Sequence, residues 1–175
     1  MAKAFPLLAT DPEGTFAQNA VLMLHIRLGE MQRLSQSVAD PLRVDELHAM
    51  RIASKRLRYT LEIFEPCFSG VLAAKEYKYI YSNVKSIQER IGQIHDCDVR
   101  MPALSEFLHN YGRQRPEIKI GLQRLIEREQ AQRDQIYRDF VVFWQKLEKS
   151  GFRRRFECAL LVLTEPEAAG ESDEN

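Results

Sequence analysis

LHAMRIASKRLRYTLEIF, residues 47–64, decides the fold because it carries two stripes at helical spacing on neighbouring faces. Leu47, Met50, Ser54, Leu57, Leu61 and Phe64 recur at alternating gaps of three and four, as a core-facing row does. One position further on runs a polar row at the same spacing: His48, Arg51, Lys55 and Arg58. Consecutive helical residues are separated by about 100°. The second row therefore lines the shoulder of the core face and not the far, fully solvated side. Arg56 adds another cation, and from Arg51 to Thr60 there is no acid. Like charges three or four apart oppose an isolated helix by about 0.2–0.5 kcal/mol per pair. An unneutralised row of this kind points to an anion. The competing reading is a solvated basic face, but a histidine followed by cations along one shoulder, without interleaved glutamates, favours an anion site.

Outward from this helix, composition sets limits. The chain has 175 residues, 45% of them hydrophobic and 29% charged, enough for one domain with a core. No apolar run is long enough to cross a bilayer, and the first residues lack a secretory h-region, so the expectation is a soluble cytoplasmic protein. Cys67, Cys97 and Cys158 are widely spaced and odd in number, which fits free thiols in a reducing compartment. The formal net charge is zero, but the segment after Leu163 holds five acids and no base, leaving residues 1–163 with 25 basic against 20 acidic residues. A surplus of +5 is small for a general nucleic-acid binder.

The organisation expected is a leader over residues 1–10, one helical domain over 11–163 and an acidic disordered tail over 164–175. Asp11, Pro12 and Glu13 are expected to start a first helix running to Ala39, where Asp40–Pro41 breaks it. His25 and Arg27 lie on it and read as solvated or satisfied side chains. The basic helix should start near Asp45 and stop before Pro66, with a loop over 67–70. A helix over 72–94 follows, with Ile80, Val84, Ile87, Ile91 and Ile94 as its core row. One position further on, its shoulder reads Tyr81, Lys85, Gln88, Gly92 and His95, repeating the earlier pattern. A turn over 94–98, a helix over 99–111, a long helix over 117–149 and a short one after Gly151 complete the chain. Arg153, Arg154 and Arg155 read as solvated. Glu129, Gln132 and Arg133 interrupt the apolar face of the long helix and are either buried partners or part of a site.

No segment alternates apolar and polar residues as a strand does. The expected fold is all-α, a bundle of long antiparallel helices. Two antiparallel neighbours on one core bring equally displaced shoulders together or turn them apart. In the convergent case His48, Arg51, Lys55 and Arg58 face Lys85 and Gln88 across one cation-rich groove, with Gly92 leaving room.

Other chemistries find less support. His48, His95, Asp96 and Asp98 lack a helical metal-ligand spacing, and the aspartates read better as helix caps or as partners of an arginine. There is no GxSxG, no glycine-rich phosphate loop and no cofactor motif, so no enzyme activity and no cofactor are expected. Nucleic-acid binding shares the electrostatics and is the main rival; a structural helical adaptor leaves the shoulders unexplained.

LHAMRIASKRLRYTLEIF followed by KSIQERIGQIHDCDV resembles the conserved histidine α-helical domain, CHAD, over residues 15–160. The family pattern is a histidine on a basic helix, then a helix ending in isoleucine- or leucine-glycine and an acidic turn. The resemblance implies a non-catalytic module that binds inorganic polyphosphate, some members being found on polyphosphate granules. It places the family histidine on His48, the basic helix on Arg51, Lys55, Arg56 and Arg58, and the second-helix pair on Lys85 and Gln88. On the long helix over 117–149 Arg124, Arg128 and Arg133 are further candidates. Family members typically carry two copies of the helical unit. One copy is found here, so a homodimer is expected to restore the double bundle.

Overall fold

The computed structural model describes residues 4–6, 10–36, 38–111 and 115–164. Six helices and no strand are present among them: α1 Phe16–Ser35, α2 Val44–Ile63, α3 Glu65–Phe68, α4 Ala74–Tyr111, α5 Pro116–Lys149 and α6 Phe152–Val162. The all-α antiparallel bundle expected from the sequence is the fold. α1 packs on α2, α2 on α4 and α4 on α5, each pair antiparallel, while α6 closes against α1, α4 and α5. One core unites them: Leu24 and Leu28 of α1, Met50 and Leu57 of α2, Ile87 and Ile91 of α4, Phe140 of α5 and Phe156 of α6 are all essentially inaccessible.

Local chemistry explains where the boundaries differ from expectation. α1 starts at Phe16 and not in the Asp11–Glu13 segment. The Asp11 carboxylate accepts from the Glu13 N–H at 3.0 Å and the Asp11 carbonyl from the Gly14 N–H at 3.1 Å, closing a turn. Thr15 then caps the helix in a reciprocal capping box with Gln18. α1 ends at Ser35, short of Ala39, although Val38 is still buried in the core. At the start of the chain Phe5 is tied to α1. Its carbonyl accepts from Arg27 at 3.1 Å and its ring lies under Arg33 at 5.0 Å.

Pro66 does stop α2, but as the second residue of the short helix α3, where its missing N–H removes no bond. The expected loop over 67–70 shifts to 69–73, between Phe68 and Ala74, and turns at Gly70, whose φ of +81° suits glycine.

The larger correction concerns residues 94–98. No turn divides this region, and α4 runs unbroken for 38 residues, about 57 Å at 1.5 Å per residue. The core row simply continues: Ile91, Ile94 and Cys97 are all buried at gaps of three. Asp98 is not a cap either, because it faces α5 and pairs with Arg133. Pro102 sits inside the helix and leaves the carbonyl four residues back without its donor. The expected end of this helix at 112–116 falls largely outside the described residues, as does the acidic tail beyond Thr164. No described helix is long and apolar enough to cross a membrane.

Candidate functional site

Of the two arrangements open to antiparallel neighbours, α2 and α4 adopt the convergent one, and the two polar shoulders meet. His48 and His95 approach through their Nδ1 atoms at 3.2 Å, with ring centroids 4.4 Å apart. One turn along, the Arg51 side chain lies over Gly92, and a β-carbon built there would stand 3.8 Å from Arg51 Nε. At the far end Tyr81 donates to Glu62 at 2.7 Å. The same register sets Lys55 opposite Gln88 and Arg58 opposite Lys85. From His48 to Arg58 the row spans about 15 Å.

The charge state of this row follows from what faces it. His95, Gly92, Gln88 and Lys85 offer no carboxylate, and among the described residues no carboxylate lies within ion-pairing distance of Arg51 or Lys55. The Lys55 ammonium sits 5.7 Å from the centroid of the Tyr59 ring, which the Arg58 guanidinium also covers at 4.7 Å. Such contacts orient a cation without neutralising it. Arg58 Nε is buried and makes no hydrogen bond, with Glu62 at 3.4 Å. Gln88 Oε1 is likewise buried without a donor. Lys85 is half exposed, 3.8 Å from Glu89.

Burial, then the charges of His48 and Arg51, push the His95 imidazole below its ordinary proton affinity, against the pull of Asp96 and Asp98. Tyr81 is held above the ordinary phenol value, chiefly because its hydroxyl is bound to the Glu62 carboxylate. No three His, Cys, Asp or Glu side chains among the described residues are grouped so as to hold a metal ion.

Four of the anticipated site residues are placed elsewhere. Arg56 lies on the other flank of α2 and donates to Glu30 of α1 at 2.6 Å, beside Arg27, which donates to the same carboxylate at 2.9 Å. Arg133 is buried against α4, donating to Asp98 at 2.7 Å and to the Pro41 carbonyl at 3.0 Å. Glu129 is the other buried partner on that seam, accepting from Arg100 at 2.9 Å. Arg124 and Arg128 are exposed on α5, away from the facing shoulders of α2 and α4. His25 is exposed, and Arg27 is satisfied by Glu30 and Phe5. Arg155 is not simply solvated: it holds Glu76 by two bonds of 2.8 and 2.6 Å and covers Tyr79.

The candidate set missed His95 and Glu62. His95 stands on the second shoulder in the same phase as Gly92 and Gln88, and that phase was the signal. Glu62 follows Arg58 by one turn. The three cysteines are free, with the Cys97 thiol buried and its proton affinity raised by that burial.

Over residues 4–105, more than half of the chain, the sequence matches the family model of the CHAD domain. The chain belongs to the CHAD domain family. The match spans both facing shoulders, and it leaves α5 and α6 outside where the resemblance had been expected to run to 160. No curated protein and no solved structure matches the chain.

Proposed function

We propose that this protein is a non-catalytic module that holds inorganic polyphosphate along the groove between α2 and α4. His48, Arg51, Lys55 and Arg58 form one wall, Lys85 and Gln88 the other. The observation that carries this reading is the absence, among the described residues, of any carboxylate paired with Arg51 or Lys55, whereas Arg56, Arg100 and Arg133 each meet a carboxylate on a neighbouring helix. Polyphosphate offers repeated charge and no bases to read, so cations spaced along a helix shoulder meet its needs; guanidinium groups add bidentate contacts. Membership of a family with a polyphosphate-binding role supports the same ligand. The reducing cytoplasm, at polyphosphate granules, is the setting that suits three free thiols.

Competition at two salt concentrations tests the reading. Long-chain polyphosphate is expected to displace single-stranded DNA of equal charge, and its own affinity to fall steeply with salt. Equal or tighter binding of the DNA would favour the nucleic-acid alternative, since Tyr59 at the groove edge offers a stacking surface.

We further propose that two copies pair through the arm formed by residues 99–111 of α4 and 116–128 of α5. Between Cys97 and Glu129 no described residue is buried, and Val99, Phe107, Tyr111 and Ile120 are each about half exposed. Two adjacent helix segments about 20 Å long present a face of the order needed for a standard interface, about 800 Å² per partner. Sedimentation equilibrium should report a dimer that Phe107→Ser with Ile120→Ser converts to a folded monomer. A wild-type monomer at about 100 μM, well above ordinary dimer affinities, would overturn it.

A further inference from the structure

The contact between His48 and His95 imposes a proton rule on the groove. Two imidazole nitrogens 3.2 Å apart are compatible with one hydrogen between them. With both Nδ1 atoms bare the lone pairs repel, and with both protonated the N–H groups clash. One ring therefore donates through Nδ1 and the other accepts. Within that arrangement the pair is neutral, or carries a single charge when the donor ring is also protonated on Nε2. The second state keeps the contact and adds a cation at the end of the row.

We propose that the His48–His95 pair is a proton-linked part of the groove, taking up one proton from solvent when a phosphate polyanion occupies the row from Arg51 to Arg58. The inference rests on the polyanion reading above. The proton goes to an imidazole Nε2, and no bond other than that N–H is made or broken.

The surrounding charges set the direction. From α2, Arg51 bears on the pair and opposes its charging. From α4, Asp96 and Asp98 favour it. Asp98 is already engaged by Arg133 of α5, which weakens its help. In the free protein the balance, together with burial, disfavours the charged ring. An anion laid against Arg51 offsets the cation that opposes charging of His95, so the charged pair becomes the favoured state. By linkage, whatever raises proton affinity on binding also tightens binding as protons are added.

The test uses the whole chain, long-chain inorganic polyphosphate, and the imidazole proton resonances of its four histidines followed against pH in free and bound protein. The midpoints of His48 and His95 are expected to rise by about one pH unit on binding, a tenfold gain in proton affinity, while His25 and His109 stay where they are. Polyphosphate affinity should then rise up to tenfold between pH 8 and pH 6, and His95→Gln should remove that dependence. Unchanged midpoints of His48 and His95 with polyphosphate bound would overturn the inference and leave the groove reading intact. Failure of wild-type protein to bind polyphosphate at any pH would remove the groove reading and this inference with it.

Discussion

The seam between α2 and α4 and the seam between α4 and α5 use the same long helix and similar basic side chains, yet they differ in what stands opposite each cation. On the α4–α5 side Arg133 meets Asp98 and Arg100 meets Glu129. On the flank of α2 that meets α1, Arg56 and Arg27 share Glu30. On the α2–α4 side Arg51 meets glycine and Lys55 meets glutamine. An arginine facing a carboxylate is part of the framework. One that faces no carboxylate keeps its charge available, at the expense of some local repulsion. The difference between neutralised and unneutralised cations is thus a property of the facing helix, not of the basic residue itself.

The sharpest way to break this comparison is to remove a neutralising acid. Glu30 is 2% exposed and holds two guanidinium groups, one of them on the buried Arg27. Glu30→Ala leaves that charge uncompensated and is expected to lower the unfolding free energy by about 3–5 kcal/mol, read from urea denaturation. A loss below about 1 kcal/mol, the scale of a surface pair, would mean that this seam is not neutralised as described. Arg51→Ala should behave in the opposite way. Its stability change is expected to stay within about 0.5 kcal/mol, as for a surface substitution, while polyphosphate affinity drops about tenfold, or ~1.4 kcal/mol.

Gly92 sharpens the contrast from the other wall. A β-carbon there would meet Arg51 Nε only at an ordinary contact of 3.8 Å, so helix packing does not require the glycine. Gly92→Ala should therefore raise stability by about 0.5–1 kcal/mol, the helix-interior difference between the two residues. A destabilised variant would show that α2 and α4 approach more closely at this point than the contact implies.

The smallest effect is one of pH. His95 binds its proton less readily in the folded chain than in an unfolded one. Below about pH 6.5, the ordinary value, the unfolded state therefore takes up more protons. Stability should fall on acidification through the window from about 6.5 down to the depressed folded midpoint, and then level off. In His95→Gln that slope should flatten, as thermal melts between pH 5 and pH 8 would show.

Much of this was legible in the sequence because periodicity is. The core rows of α2 and α4 and the shoulder one position beyond each could be counted directly, while the equal offset of the two shoulders left open whether they converge or diverge. The continuity of α4 was not legible: Asp96, Asp98 and Pro102 are the residues of a helix start. Only the facing Arg133, 35 positions away, shows that Asp98 serves another purpose. Arg56 and Arg133 were grouped with the site for the same reason. Their residue type matches that of Arg51, and the carboxylates that neutralise them lie on other helices. The His48–His95 contact joins residues 47 positions apart through the register of two helices, which phase suggests but distance alone establishes.

The most direct test of the central claim is the binding isotherm of long-chain polyphosphate on Arg51→Glu with Lys55→Glu, measured beside wild type at matched salt. The account predicts a loss of at least about a hundredfold, roughly 2.7 kcal/mol, with the helical circular dichroism and the melting curve preserved. Undiminished binding by the folded double variant would contradict it.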